Sequence, residues 1–102
     1  MCFKRKDGSR LLLSRSYRYK SGNYFVHLKK DDKSDRLLII EFNNNGGETS
    51  FTFANMNDNT QEVLDNPSSG RYELKVIKGA PYKLYIKSKG AIGSYVISII
   101  NL

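Results

Sequence analysis

Groups able to do chemistry are few in this sequence and thinly spread. The one imidazole, His27, lies in the run GlyAsnTyrPheValHisLeu at 22–28. Nucleophilic catalysis by serine or cysteine needs a base held against the nucleophile. Val26 and Leu28 occupy the opposite parity, so His27 is expected on an outer strand face beside Phe25 rather than in a triad. A two-carboxylate hydrolase has Asp31, Asp32, Asp35, Glu41, Glu48, Asp58, Glu62 and Asp65 to draw on, but no spacing among them selects a pair. Oxygen ligands recur at 55–62, where Asn55, Asn57 and Asn59 alternate with Asp58 and Glu62 nearby, and calcium takes hard oxygen donors. That run lacks the glycine and the charge of an EF-hand loop and reads as a polar turn. Cys2 is the only cysteine, which excludes an internal disulfide and any multi-thiolate metal site. No glycine-rich phosphate loop occurs. The sequence therefore predicts no catalytic residue, no metal site and no cofactor.

Cations close to aromatic rings are the chemistry that remains. Seventeen Lys and Arg against ten Asp and Glu give a net charge of +7, and the charge is segregated. Residues 1–36 carry eleven bases and four acids (+7), 37–69 five acids and no base (−5), and 70–102 six bases and one acid (+5). Strand parity puts Lys75, Lys83, Tyr85 and Lys87 on outward positions, and Phe25 and His27 on another. These six are the candidate partner-binding residues. Lysines near exposed rings suit an acidic protein, an anionic glycan or the phosphates and bases of a single strand of nucleic acid. Lysine on the solvent face of a strand also guards against edge-to-edge aggregation, whatever else it does.

The elements that must position these residues are strands. Residues 71–77 alternate Tyr72, Leu74 and Val76 against Arg71, Glu73 and Lys75, and residues 82–87 alternate Tyr82, Leu84 and Ile86 against Lys83, Tyr85 and Lys87. Period two with one apolar face marks a half-buried strand. LysGlyAlaPro at 78–81 predicts an antiparallel hairpin joining the two. Further strands are expected at 11–19, 23–28, 36–42, 49–53 and 94–100. AsnAsnAsnGlyGly at 43–47 reads as the turn between two of them. Only 56–66 breaks the pattern, as one helical turn or an ordered connection. Three strands start on glycine, one spacer and tyrosine: Gly22 with Tyr24, Gly70 with Tyr72 and Gly93 with Tyr95. Parity makes this a way of entering a strand, with the three tyrosines on the buried face.

Seven short strands in a chain of 102 residues predict an all-β fold: one antiparallel, jelly-roll-like β-sandwich, with a small Greek-key barrel as the alternative. An apolar content of 39% is too high for a disordered chain. The expected organisation is a flexible basic arm over 1–10, containing LysArgLys at 4–6, and one domain over 11–102. The longest apolar runs, 11–13 and 37–40, fall far short of the roughly 18–20 residues of a membrane span, and the amino-terminal segment lacks the apolar stretch of a secretory leader. A cytoplasmic location is expected for the chain as given, and a secreted one if it is an excised domain.

SerGlyArgTyrGluLeuLysVal at 69–76, AlaProTyrLysLeuTyrIle at 80–86 and GlySerTyrValIleSerIle at 93–99 together resemble the closing strands of β-sandwich accessory modules of the pre-peptidase C-terminal type. The resemblance spans about residues 21–99. It implies a non-catalytic binding or stabilising module beside a secreted enzyme, in some cases with calcium; the basic charge and the missing leader depart from that pattern. The reading that results is a non-catalytic module recognising a protein or glycan partner through a basic, aromatic sheet face. The rivals are a small nucleic-acid-binding protein of OB-like architecture and a mobile-element protein that inhibits a host enzyme by surface contact.

Overall fold

The computed structural model describes residues 9–102. Residues 1–8, which hold Cys2, LysArgLys at 4–6 and most of the predicted arm, lie outside the described residues. The fold is all-β and antiparallel, with five strands: β1 (Arg10–Leu28), β2 (Arg36–Asn55), β3 (Gln61–Asp65), β4 (Gly70–Val76) and β5 (Tyr82–Asn101). β5 is central, with β1 along one side and β2 along the other. β3 and β4 both pair with the far edge of β2, β4 beside residues 36–42 and β3 beside residues 50–54.

All seven runs predicted as strands are strands, but six of them merge in pairs. Runs 11–19 and 23–28 form β1, 36–42 and 49–53 form β2, and 82–87 and 94–100 form β5. The merging leaves four, because the segments read as turns bend a continuing strand instead of reversing it, and the unexpected β3 makes five. Besides one shift near the start of β1, at Leu11–Leu13, register shifts fall at Tyr17–Gly22 in β1, and at Asn44–Glu48 of β2 against Lys89–Gly93 of β5. An extra residue in one strand of a pair kinks it and increases its twist. Here the irregularities line up across three neighbouring strands and bend the sheet along one line. AsnAsnAsnGlyGly supplies part of that line, so 49–53 is not a return strand; it continues β2 beyond the bend, still paired with β5.

Two further expectations fail. Strands 71–77 and 82–87 do not form a hairpin: β4 pairs with β2, and β5 lies between β1 and β2. Residues 77–81 instead cross from one end of the bent sheet to the other, held by Gly79 N–H donating to Asp31 O (2.7 Å) and Met56 N–H donating to Pro81 O (2.9 Å). The segment 56–66, expected as one helical turn or an ordered connection, contains β3. Its turn is built from side chains: Asn55 Oδ1 accepts from Asn57 N–H at 2.9 Å, and Asp58 Oδ1 accepts from Thr60 N–H at 3.0 Å and Thr60 Oγ1 at 2.7 Å. Two of the oxygens considered as calcium ligands, those of Asn55 and Asp58, are thus engaged by their own loop.

One apolar cluster draws on both sides of the bend. Leu38, Ile40, Phe42, Leu74, Val76, Ile97 and Ile99 come from one side, and Phe51, Phe53, Leu84, Ile86 and Tyr82 from the other. Phe51 joins them, with its ring centroid 5.2 Å from that of Phe42 and 5.7 Å from that of Tyr95, both edge to face. Such pairs add about 0.5–1.5 kcal/mol to their area burial. The three tyrosines of the glycine–spacer–tyrosine runs divide. Tyr95 is buried, Tyr72 packs partly on the core with its hydroxyl donating to Ser68 O at 2.6 Å, and Tyr24 is 43% exposed, against expectation. Tyr24 has the inward parity, opposite Ile86, but sits on an edge strand just past the bend, where the inner face opens.

Candidate binding face

Beyond the bend, β1, β5, β2 and β3 lie side by side, and their outward residues fall into rows. Phe25 stands opposite Tyr85, Tyr85 opposite Thr52, and Thr52 opposite Val63. The row below is His27, Lys83, Ala54 and Gln61, and the row above is Asn23, Lys87, Ser50 and Asp65. Alternation along each strand fixes this arrangement: with Leu84 and Ile86 buried, Lys83, Tyr85 and Lys87 have no direction left but outward. Directly opposed residues on one face are close enough to touch. Diagonal and same-strand neighbours on this face touch: Lys83 Nζ lies 4.4 Å from the ring centroid of Phe25, diagonal to it on β1, and 5.1 Å from that of Tyr85, two residues on in β5, and the rings of Phe25 and His27 meet edge to face at 5.5 Å.

Five of the six predicted residues, Phe25, His27, Lys83, Tyr85 and Lys87, therefore form one patch. Lys75 does not join it. It lies on β4, across the bend, where its ammonium pairs with Asp35 at 3.9 Å, and Asp35 also accepts from Lys78 N–H. The patch stays uncovered: Phe25 is 54% exposed, Tyr85 40% and Val63 58%. Large apolar residues massed on a sheet face at such exposure mark an interaction surface more often than singly scattered ones do. An open groove runs along it, lined by Phe25, Tyr85, Thr52, Ser50 and Lys87.

Three members were missed from the sequence. Thr52 and Val63 complete the central row, and Asn23 ends the upper one. Thr52 was visible as the polar residue between Phe51 and Phe53, but its neighbours across the sheet depend on pairings that the sequence does not reveal. Val63 lay in the segment not read as a strand.

A lysine over two rings gains a cation–π attraction of about 0.5–1 kcal/mol at an exposed site, which holds its extended side chain against the face. The ammonium keeps its donors for an acidic group, and the rings keep apolar area for contact. The patch can thus attract a negative partner and bury apolar surface against it. Among the described residues, no group of three or more His, Cys, Asp or Glu is placed to hold a metal ion, and no helix is long and apolar enough to cross a membrane. No family model matches the chain, and neither does any curated protein.

Proposed function

We propose that the protein is a non-catalytic binding module that recognises a partner protein or glycan carrying acidic groups, through the outer face of Phe25, His27, Lys83, Tyr85 and Lys87. One observation carries this reading: Lys83 spans the Phe25 and Tyr85 rings on an exposed four-strand surface, so charge and apolar area sit on the same footprint. In the same proposal the sheet, bent along its line of irregular register, is a two-layer sandwich whose layers meet at Phe42, Phe51 and Tyr95. An accessory role beside a larger enzyme, of the kind the pre-peptidase C-terminal resemblance implies, fits a face of this type.

Single-stranded nucleic acid is the second reading, favoured by rings placed between lysines. Bases stack on aromatic faces while phosphates meet ammonium groups.

Glycan-array and pull-down experiments with the wild type and with a Lys83→Ala/Lys87→Ala/Phe25→Ala variant test the proposal. A partner captured by the wild type and lost from the folded variant supports it. Equal capture by both, or turnover of a substrate by the wild type, overturns it. Retention on single-stranded DNA, with log affinity falling linearly with log salt and lost in the same variant, moves the assignment to the second reading.

A further inference from the structure

A second cleft opens on the other side of β1, where that strand bends. Its volume is about 240 Å³, below the roughly 300–1,000 Å³ typical of sites for drug-sized ligands. Arg15, Lys20, Ser21, Ser88, Tyr24 and Tyr95 line it, and no Asp or Glu does.

Arg15 is the unusual residue. It has inward parity, opposite Tyr95, and is half-buried, in a fold whose other inward positions are mostly apolar. Its guanidinium carbon lies 4.7 Å from the Tyr24 ring centroid. Stacking on one face of the guanidinium plane leaves its in-plane N–H groups for oxygen acceptors. None of the ion pairs among the described residues involves Arg15 or Lys20. A cation drawn out of water without a counter-charge is costly unless something pairs with it. Around it stand hydroxyl donors. Burial pushes the Tyr95 phenol above its usual pKa, and Arg15, which approaches the Tyr95 hydroxyl as a hydrogen-bond donor, opposes the shift.

We infer that this cleft binds a tetrahedral oxyanion, a phosphate or sulfate group, gripped by the Arg15 fork and flanked by Lys20 and the Ser88 and Tyr95 hydroxyls. The fork geometry of arginine matches two oxygens of such a group, whereas lysine offers a point charge. The cleft adjoins the groove of the outer face, sharing Asn23, Tyr24 and Ile86 with it, but its cations, Arg15 and Lys20, are not those of that face, and it does not depend on that face's reading.

The test is a titration of the full chain with sodium phosphate, and separately with sodium sulfate, at ionic strength held constant with NaCl, followed by amide NMR shifts. Saturable shifts at residues 15–24 and 86–95 are expected. Arg15→Gln should abolish them, Arg15→Lys, which keeps the charge and the fold, should weaken binding by about tenfold, and Lys83→Ala/Lys87→Ala should leave it unchanged. Shifts that grow without saturating, that NaCl alone reproduces, or that persist unweakened in Arg15→Lys overturn the assignment. Loss of these shifts in Lys83→Ala/Lys87→Ala overturns it as well, by placing the anion on the outer face. Phenyl phosphate and a sulfated monosaccharide form the last arm: tighter binding than the inorganic ions supports a group carried on a larger ligand, and weaker binding supports a free ion.

Discussion

Two glycines three residues apart in β5, Gly90 and Gly93, make a matched test of how the sheet bends. A Cβ on Gly93 would lie 2.0 Å from Asn43 O, while a Cβ on Gly90 would meet nothing within 4 Å. Optimal carbon contacts lie near 3.5 Å or beyond, so alanine at 93 must push the β2 backbone away by more than about 1 Å. That push acts where Asn44 pairs with Gly93 and Asn43 with Ser94, inside the ladder that holds β2 to β5. Overpacking costs about 1–3 kcal/mol, and a positive φ of +155° adds about 1–2 kcal/mol, for a total of about 2–5 kcal/mol. Alanine at 90 bears only the cost of its left-handed backbone (φ +56°), about 1–2 kcal/mol. Urea unfolding followed by circular dichroism measures both. With a total stability of about 5–15 kcal/mol expected for any domain, Gly93→Ala should lower the midpoint severely and Gly90→Ala mildly. Equal losses for the two variants would refute the close approach of the two strands at the bend.

Two further outcomes follow from the loops. The Tyr82 hydroxyl accepts from Asn55 Nδ2 at 3.3 Å and from Ile77 N–H at 3.2 Å, so Tyr82→Phe leaves both donors unmatched and should cost about 1–3 kcal/mol in the same unfolding measurement. The Thr60 N–H, and after it the Thr60 hydroxyl, hold the Asp58 carboxyl below its ordinary pKa of 3.8. A carboxylate whose pKa is lower in the folded state contributes stability above 3.8 and loses it as pH falls through the folded value. Asp58→Ala should therefore be less stable than the wild type at neutral pH, and the gap should close well below pH 3.8; a gap that stays constant on acidification would contradict this account.

Much of the strand content was legible because period two depends only on neighbouring residues. Leu84 and Ile86 inward with Lys83, Tyr85 and Lys87 outward needed no knowledge of the fold, and that parity brought together most of the binding face. Reversal and bending were not distinguishable. AsnAsnAsnGlyGly allows a positive φ at Gly46 and Gly47 either way, and what decides is the partner beyond: β5 runs alongside both ends of β2, so β2 continues through the bend. The same blindness to pairing invented a hairpin at 78–81 and left Lys75 grouped with residues across the bend. GlnGluValLeuAsp at 61–65 is too short and polar to signal a strand, and becomes β3 because β2 offers it an edge. Arg15 lies in the run 11–19 expected as a strand, but its lack of an acidic partner emerges only once the sheet is folded.

The three long strands have a consequence for how the molecule comes apart. β1, β2 and β5 each run through both sides of the bend, so neither side owns a complete set of strands, and detaching one would tear three chains in mid-ladder. Opening by halves has no cheap route. Amides at Ile97 and Leu84, far apart along β5, should therefore exchange with deuterium at similar rates, both governed by unfolding of the whole. Most of the pairings also join residues distant in sequence, Arg10 with Ile99 and Arg36 with Asn101 among them, which places folding at the slow end for a chain of this length.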